Sequence, residues 1–196
     1  MIEKIFQNCI ELTNKRWSSA LLKRVVQSPI SKYFIPSYSK VYDINVQEVS
    51  KSLDEFTSLH DFFTRTLVSG SRVVAKGNVL TSPVDAKIES FGAITNGMTF
   101  TVKGKPYLLE HLLGSQERAA AYKNGQYIVF YLSPADYHRM HSPVDARVVR
   151  QYVLGQHSYP VNQMGLTYGK KPLSHNYRMV TQLETTSGIQ LDFIKV

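Results

Sequence analysis

The feature that most constrains the fold is a change in the hydrophobic pattern near Val73. Before this residue, apolar side chains recur at the spacing of one face of an α-helix. After it, they come in short runs that end at Gly, Pro or Asn, as in β-strands joined by tight turns. The sequence therefore predicts an α+β fold, in which N-terminal amphipathic helices are followed by a mostly antiparallel β core with one inserted helix.

Helices are predicted in the N-terminal part of the chain. Two apolar stripes form a first pair of helices, which Ser28-Pro29 ends. Ser58 is a candidate N-cap for a later helix, because Asp61 follows it at the spacing of a capping pair. We interpret the stretch from Ser31 to Ser39 as a proline-containing connector. The two stripes are Ile2, Ile5, Phe6, Cys9 and Ile10, and then Trp17, Leu21, Leu22, Val25 and Val26.

The β core is predicted from the short apolar runs. The inserted helix is placed at about Leu108 to Tyr122, before an Asn124-Gly125 turn. Ser187-Gly188 is predicted to form the hairpin turn between the last two strands. The last run continues to Val196 without a terminating signal, so we interpret the core as incomplete at its C-terminus. The strand candidates are Val79–Leu80, Ala86–Phe91, Met98–Lys103, Tyr127–Leu132, Arg147–Leu154, Arg178–Glu184 and Ile189–Val196.

The charge balance favours phosphate-rich partners. Lysine and arginine number 23 against 15 acidic residues, which gives a formal net charge of +8 and attracts both nucleic acids and anionic membranes. Basic residues lie between the apolar residues of the N-terminal helices, so these helices suit an anionic bilayer surface; packing on their own domain is the alternative. For nucleic acid we find no Gly-rich loop, no zinc-ligand spacing and no concentrated basic stripe, and we expect no such partner.

The cysteine and hydropathy patterns restrict the location. Cys9 is the only cysteine, so no disulfide forms within the chain and a reducing compartment is favoured. No run approaches the roughly 18 to 20 apolar residues of a membrane-spanning helix. We therefore expect a soluble or peripheral protein.

The densest group of reactive side chains lies in residues 131–145. It contains His138 and His141, whose spacing on a helix would permit shared metal ligation, although prolines bracket the segment. A purely structural histidine pair is a second interpretation. Acid–base catalysis is a third, because imidazole titrates close to neutral pH.

A histidine that acts as a base needs a carboxylate to fix its tautomer. The sequence Ser-Pro-Val-Asp-Ala occurs twice, at Ser82–Ala86 and Ser142–Ala146, and supplies two candidates. Asp85 is preferred as a distant partner, because Pro83 fixes a turn just before a predicted strand. Taken alone, either Asp85 or Asp145 also fits a plain Asx turn.

One segment resembles the signature of the phosphatidylserine decarboxylase family, which consists of pyruvoyl-dependent enzymes of phospholipid synthesis. This segment is Asp136-Tyr137-His138-Arg139-Met140-His141-Ser142-Pro143. Matching blocks in family order cover about residues 56–196, and several blocks in order are a stronger signal than one motif. The other blocks are Phe62-Phe63-Thr64-Arg65-Thr66-Leu67, Ser82-Pro83-Val84-Asp85, Ser158-Tyr159-Pro160-Val161-Asn162 and Asn176-Tyr177-Arg178.

This resemblance implies a proenzyme that cuts itself at a Gly-Ser bond near its C-terminus and converts the serine into a pyruvoyl group. Asp85 matches the family's aspartate that orients a histidine, and His141 matches the histidine that takes the proton of the serine. His138 matches a second histidine, which assists the chemistry of the substrate. The complete enzyme would convert phosphatidylserine to phosphatidylethanolamine and carbon dioxide, with the pyruvoyl carbonyl as the electron sink.

The sequence departs from the family pattern chiefly at the cleavage site, which is absent up to Val196. Gly114-Ser115 lies upstream of the histidine segment, and we interpret it as a local interruption of the inserted helix. The pyruvoyl-forming serine is therefore expected beyond Val196, and the chain as given is predicted to be inactive alone. The other departures are Ala86 and Ala146 in place of Gly, Val68-Ser69-Gly70 in place of Lys-Pro-Gly, and Arg72-Val73 in place of Arg-Pro.

The resemblance also sets the expected organisation and partners. Residues 1–55 are expected to form a membrane-facing helical region, and residues 56–196 a β-rich catalytic core. The expected partners are phosphatidylserine, an anionic membrane surface, the protein's own α chain after self-cleavage and a second copy in a homodimer. The expected location is peripheral, on the cytoplasmic face of the cell membrane.

Two alternatives remain open at this point. One is a non-catalytic membrane-docking relative with the same fold. The other is a metal-dependent hydrolase that uses His138, His141 and Asp85, whereas the leading interpretation includes no metal.

Overall fold

The structure is a computed structural model, and it describes residues 16–77, 79–94, 98–161, 165–166 and 171–196, with side chains from Ala20 onward. The first predicted stripe and Cys9 therefore lie outside the described residues. The described chain combines helices with antiparallel sheets, so the predicted α+β class is confirmed. The helices are α1 (Arg16–Gln27), α2 (Ile35–Val41), α3 (Leu59–Phe63), α4 (Leu109–Leu113), α5 (Gln116–Ala120) and α6 (Pro172–His175), with 3-10 helices at Pro29–Phe34, Val46–Glu48 and Leu53–Glu55.

The strands form small sheets with antiparallel neighbours. A three-stranded sheet has the order β5-β6-β7, and the β6–β7 hairpin turns at Gly188 (φ +80°), as predicted for Ser187-Gly188. A second antiparallel pair joins β2 to β3, and β1 pairs with β4. The strands are β1 (Lys87–Ala93), β2 (Thr99–Val102), β3 (Lys105–Leu108), β4 (Gln126–Tyr131), β5 (Ala146–Leu154), β6 (Arg178–Thr185) and β7 (Gln190–Lys195).

The described residues form two compact units, each made of separate stretches of the chain. We call the unit of Ala20–Lys87 and Tyr131–Asp145 the helical unit. We call the unit of Ile88–Phe130 and Ala146–Val196 the sheet unit. Both histidines of the predicted site and Asp85 fall in the helical unit, so this unit carries the candidate chemistry.

The helical unit has an aromatic and aliphatic core. Phe62 of α3 is completely buried, and its ring lies edge-on to Phe56 with 5.2 Å between centroids. Ser58 caps α3, because its Oγ accepts a hydrogen bond from the Asp61 amide at 3.1 Å, which confirms the predicted N-cap. The core residues are Ile35, Ile44, Val49, Phe56 and Phe62.

The interpretation of Ser31 to Ser39 as a connector is wrong. The stretch belongs to a 3-10 helix followed by α2, and each of these begins with a proline in its first turn. The first turn tolerates proline, because its amide groups have no partner within the helix. Ile35 at the start of α2 is buried in the core and anchors the turn.

The sheet unit is held together by side chains that bind backbone groups. Arg178 of β6 is only 5% exposed and donates hydrogen bonds to the carbonyls of His111, Leu112, Ser174 and Asn176 at 2.6 to 3.1 Å. The side chain of Asn176 binds both the amide and the carbonyl of Tyr159, at 2.8 and 2.7 Å. Two of the blocks that carry the family resemblance therefore stabilise the fold.

The inserted helix differs from its prediction. Residues 108–122 hold two short helices, because α4 ends at Gly114 in the left-handed conformation (φ +70°). A Cβ atom at Gly114 would lie 2.7 Å from Cδ1 of Leu154, so a larger residue would displace the Leu154 side chain and would be strained at this positive φ. Ser115 begins α5 by accepting the Arg118 amide at 3.1 Å. Gly114-Ser115 is thus a helix interruption, as interpreted from the sequence.

Two strand predictions also need correction. Val79 and Leu80 are not in a strand. The strand β3 was not predicted. Its Pro106 pairs with Thr101 in a two-stranded hairpin, where a missing amide is tolerated. Lys103 and Gly104 make the turn with positive φ angles of 52° and 73°.

Candidate active site

The candidate site lies in the helical unit, on the segment of residues 131–145 that follows β4. This segment is not helical in the structure. His138 and His141 therefore do not share a helix face. Each imidazole has its own environment. The stretch Phe62–Arg65 contacts His138, and the stretch Thr81–Pro83 contacts the backbone of His141.

The stretch Phe62–Arg65 holds the first half of the histidine segment. The Phe63 ring packs on the His138 ring with 3.9 Å between centroids. The carbonyl of Thr64 accepts a hydrogen bond from Nε of Arg139 at 2.9 Å. The block Phe62–Leu67 and the block Asp136–Pro143 thus meet in space, although about 70 residues separate them.

Arg65 is buried beneath the histidine segment and is 4% exposed. Its Nη2 donates hydrogen bonds to the carbonyls of Ala135 and Asp136, at 2.8 and 3.0 Å. Its guanidinium lies over the Phe62 ring at 5.4 Å from the centroid. Burial lowers the pKa of Arg65, and the charges of Tyr38 and Asp136 act in the opposite direction.

The backbone carbonyl of Asp136 also binds His138. The distance between this oxygen and Nδ1 of the imidazole is 2.8 Å. A carbonyl oxygen only accepts hydrogen bonds, so Nδ1 is the donor and carries a proton. The carboxylate of Asp136 accepts the Ser133 amide at 2.6 Å, which closes the turn before the histidines.

The two Ser-Pro-Val-Asp-Ala segments lie side by side. The amide of His141 donates to the carbonyl of Pro83 at 2.8 Å, and the amide of Thr81 donates to the carbonyl of Pro143 at 2.9 Å. The structure therefore brings the segment that carries Asp85 next to the segment that carries His141. This backbone pairing places an acid and a base of the predicted site in one neighbourhood.

The side chain of Asp85 is engaged by an arginine. Nε of Arg72 donates to Oδ2 of Asp85 at 2.7 Å, and Nη1 of the same guanidinium lies 2.9 Å from Oε2 of Glu48. The His141 ring stacks on Tyr137, with 5.7 Å between centroids. Among the described residues, the Asp85 carboxylate contacts Arg72 and not His141, so the orienting role of Asp85 stays a prediction.

Sequence reasoning missed the roles of Arg65 and Arg72. Arg65 was noted only as part of a matching block, and Arg72 only as part of a departure from the family pattern. Arg65 binds residues about 70 positions away along the chain, and Arg72 binds Asp85, which is 13 positions away. The available signal was the position of Arg65 within a block that resembles the family.

The described residues hold neither a metal-ligand cluster nor a helix that could span a membrane. Within the ranges that the structure describes, no three His, Cys, Asp or Glu side chains come together as a metal-ligand set. In the same ranges, no helix has the length and hydrophobicity needed to cross a bilayer.

Comparison with known proteins identifies the relatives of this chain. The model of the phosphatidylserine decarboxylase family matches residues 59–196. The phosphatidylserine decarboxylase proenzymes of Bacillus thuringiensis (strain Al Hakam) and Bacillus cereus (strain 03BB102) are each 44% identical over 197 aligned residues. Each alignment covers 100% of this chain and 75% of the relative.

Proposed function

Because the chain belongs to the phosphatidylserine decarboxylase family, we propose that Asp85, His138 and His141 are its catalytic residues. The activity of the family is that of a carboxy-lyase which converts phosphatidylserine to phosphatidylethanolamine and carbon dioxide. The protein is made as a proenzyme, in agreement with its relatives. The observation that carries the residue assignment is the backbone pairing of the Pro83 and His141 segments.

His141 is the base that activates the serine of the cleavage site. A serine hydroxyl becomes a good nucleophile only when a base takes its proton. The His141 side chain is exposed and can meet a hydroxyl group that approaches from outside the described segments. Asp85 orients this imidazole through Oδ1, because Arg72 binds Oδ2 and leaves the other carboxylate oxygen available.

His138 handles a proton of the substrate. Its ring is fixed by Phe63 on one face and by the Asp136 carbonyl at Nδ1. With Nδ1 protonated, the lone pair of a neutral imidazole is on Nε2. This nitrogen can accept a proton and return it to the product, as a general acid–base catalyst does.

The proposed cofactor is a pyruvoyl group formed from the protein's own serine. Such a group supplies an electron-accepting carbonyl for the loss of carbon dioxide. Support for it comes from the exposed imidazole of His141, whose backbone is bound to Pro83 and whose side chain can take the proton of a serine. Gly114-Ser115 does not serve as the source, because both residues are used in capping α4 and α5.

The membrane-facing region is residues 1–55, and the catalytic core is residues 56–196. Support comes from apolar side chains of α1 and the following 3-10 helix that are more than half exposed, with basic side chains among them. Such a surface suits the anionic leaflet of a bilayer, and we place the protein peripherally on the cytoplasmic face of the cell membrane. The apolar residues are Leu21, Leu22, Val25, Ile30, Tyr33 and Phe34, and the basic residues are Lys23, Arg24 and Lys32.

The protein partners in this proposal are the α chain that self-cleavage releases and a second copy in a homodimer. The described residues offer sheet edges at β5 and β7 in the sheet unit. Strand edges of this kind accept further strands by backbone hydrogen bonding.

The proposed residue roles are tested in the full-length protein. We expect His141→Ala to remain a single chain in denaturing mass spectrometry, because the serine keeps its proton. We expect His138→Ala to cleave itself but to lose decarboxylation by about 100-fold or more, as for loss of a general acid–base group. His111→Ala, an exposed histidine of the sheet unit, is the control and should behave as wild type.

The outcome separates the alternatives. Cleavage of His141→Ala at the wild-type rate would overturn its role as the base. A wild-type protein that neither cleaves itself nor decarboxylates phosphatidylserine would support the non-catalytic membrane-docking relative. A decarboxylase activity that survives treatment with a carbonyl reagent would contradict the pyruvoyl group.

A further inference from the structure

Arg65 is a buried charge that the proposed mechanism does not use. It is 4% exposed, and within the described parts of the chain its Nε and Nη1 have no hydrogen-bond partner. Burying a guanidinium costs free energy unless its contacts compensate. The compensating contacts go to two backbone carbonyls of the histidine segment, at Ala135 and Asp136.

The Asp136 carbonyl is the point at which Arg65 and His138 meet. This oxygen accepts Nη2 of Arg65 at 3.0 Å and Nδ1 of His138 at 2.8 Å. A carbonyl has two lone pairs, so it accommodates both donors. The guanidinium holds the direction of this carbonyl, and the carbonyl determines which nitrogen of His138 carries the proton.

The neighbouring residues restrict the imidazole further. Phe63 covers one face of the ring, and Phe63 and Arg65 come from one short stretch at the end of α3. Arg139, next to His138, is bound to the carbonyl of Thr64 in that same stretch. Consecutive residues of one segment, Phe63 to Arg65, thus contact the imidazole or residues on either side of it.

We propose that Arg65 is a positioning residue for His138, which holds the imidazole in the Nδ1-protonated tautomer and directs Nε2 to the substrate. This inference rests on the proposed role of His138 in decarboxylation. Arg65 touches neither substrate nor cofactor and acts through the Asp136 carbonyl. It does not hold His141, whose backbone is bound to Pro83.

The sheet unit supplies a matched control. Arg178 is 5% exposed and, like Arg65, binds backbone carbonyls with its guanidinium. Burial lowers the pKa of both arginines. Arg178 belongs to the other unit, so Arg178→Lys removes the same kind of contact without touching His138.

The experiment uses full-length, self-cleaved protein with 15N-labelled histidine, and His138→Ala assigns the His138 signals in NMR spectra. Wild type should show Nδ1 protonated and Nε2 unprotonated in neutral His138. Arg65→Lys should give a mixture of tautomers and lower kcat for decarboxylation about tenfold, with KM and the rate of self-cleavage unchanged, since a misplaced catalytic group loses rate. Arg178→Lys should lower the Tm and leave the His138 signals and kcat unchanged.

Three outcomes would overturn the proposal. These are an Nε2-protonated His138 in the wild type, an unchanged tautomer in Arg65→Lys, and an equal loss of kcat in Arg178→Lys. The tautomer of wild-type His138 is read without any change at Arg65, so this part of the test survives even if Arg65→Lys does not fold. If His138→Ala keeps its decarboxylase activity, the proposed role of His138 fails. The spectra of wild type and Arg65→Lys still show separately whether Arg65 determines the tautomer of His138.

Discussion

Two copies of the same pentapeptide, Ser82–Ala86 and Ser142–Ala146, have the same local structure and different surroundings. In each, the serine Oγ donates to the carbonyl two residues later, at 2.7 Å in the first and 2.6 Å in the second. Each leads directly into a strand, β1 or β5. However, Asp85 forms an ion pair with Arg72, whereas Asp145 is exposed and has no ion-pair partner among the described residues.

The difference shows which properties five residues can determine. The turn follows from the proline and the serine hydroxyl, because both act within the pentapeptide. The charge environment of each aspartate comes from residues elsewhere in the chain. The same sequence is therefore a catalytic candidate at one position and a solvated turn at the other, and substitution of both copies measures the contrast.

The largest effect is expected from removing the charge of Asp85. In the full-length protein, Asp85→Asn should slow self-cleavage by about 100-fold or more, because an amide does not hold the imidazole in its basic orientation. The measurement is the time course of chain cleavage in denaturing gels after expression is shut off.

The second copy provides the control for this experiment. Asp145→Asn makes the same chemical change in the same local sequence, and we expect it to cleave within about twofold of wild type, as for a surface substitution. Equal slowing by both substitutions would show that the pentapeptide matters for its turn and not for the carboxylate of Asp85.

A smaller effect is expected from Arg72, the residue that distinguishes the two aspartates. Its guanidinium joins Asp85 to Glu48, so it fixes the carboxylate in one orientation. Arg72→Met should slow self-cleavage about tenfold, because Asp85 then has more freedom than a positioned group. The same rate assay applies.

Arg147→Met is the matched control for Arg72→Met. Arg147 forms an exposed ion pair with Glu184 in the sheet unit, and the substitution removes the same charge. We expect no change in cleavage. Faster cleavage in Arg72→Met would mean that Arg72 competes with His141 for Asp85, which contradicts a positioning role.

The same distinction between local and distant contacts explains which elements of the fold the sequence predicted correctly. Patterns confined to neighbouring residues were interpreted correctly, as at the Ser58 cap and the Gly188 hairpin. Pro36 led to the wrong prediction at α2, because a proline is tolerated in a first helical turn. Caps and tight turns were predicted correctly, because their hydrogen bonds join neighbouring residues.

The candidate site follows the same rule. His138, His141 and Asp85 were singled out by residue type and resemblance, and the structure places their segments in one unit. Arg65 and Arg72 were given no role, since an arginine's partner is set by tertiary structure. Arg65 and Ala135 are 70 positions apart, and no local sequence pattern predicts such a contact.

The smallest effect is expected from the serine hydroxyls, which form the same turn in both pentapeptides. Ser82→Ala and Ser142→Ala each remove one hydroxyl-to-carbonyl hydrogen bond within the turn. Each should lower the free energy of unfolding by about 0.5 kcal/mol, at the low end for a hydrogen bond because both serines are exposed. Urea unfolding of the two variants measures this. Equal, small losses with normal self-cleavage would show that the turns are equivalent, whereas a cleavage defect in Ser82→Ala alone would mean that the first turn also positions Asp85.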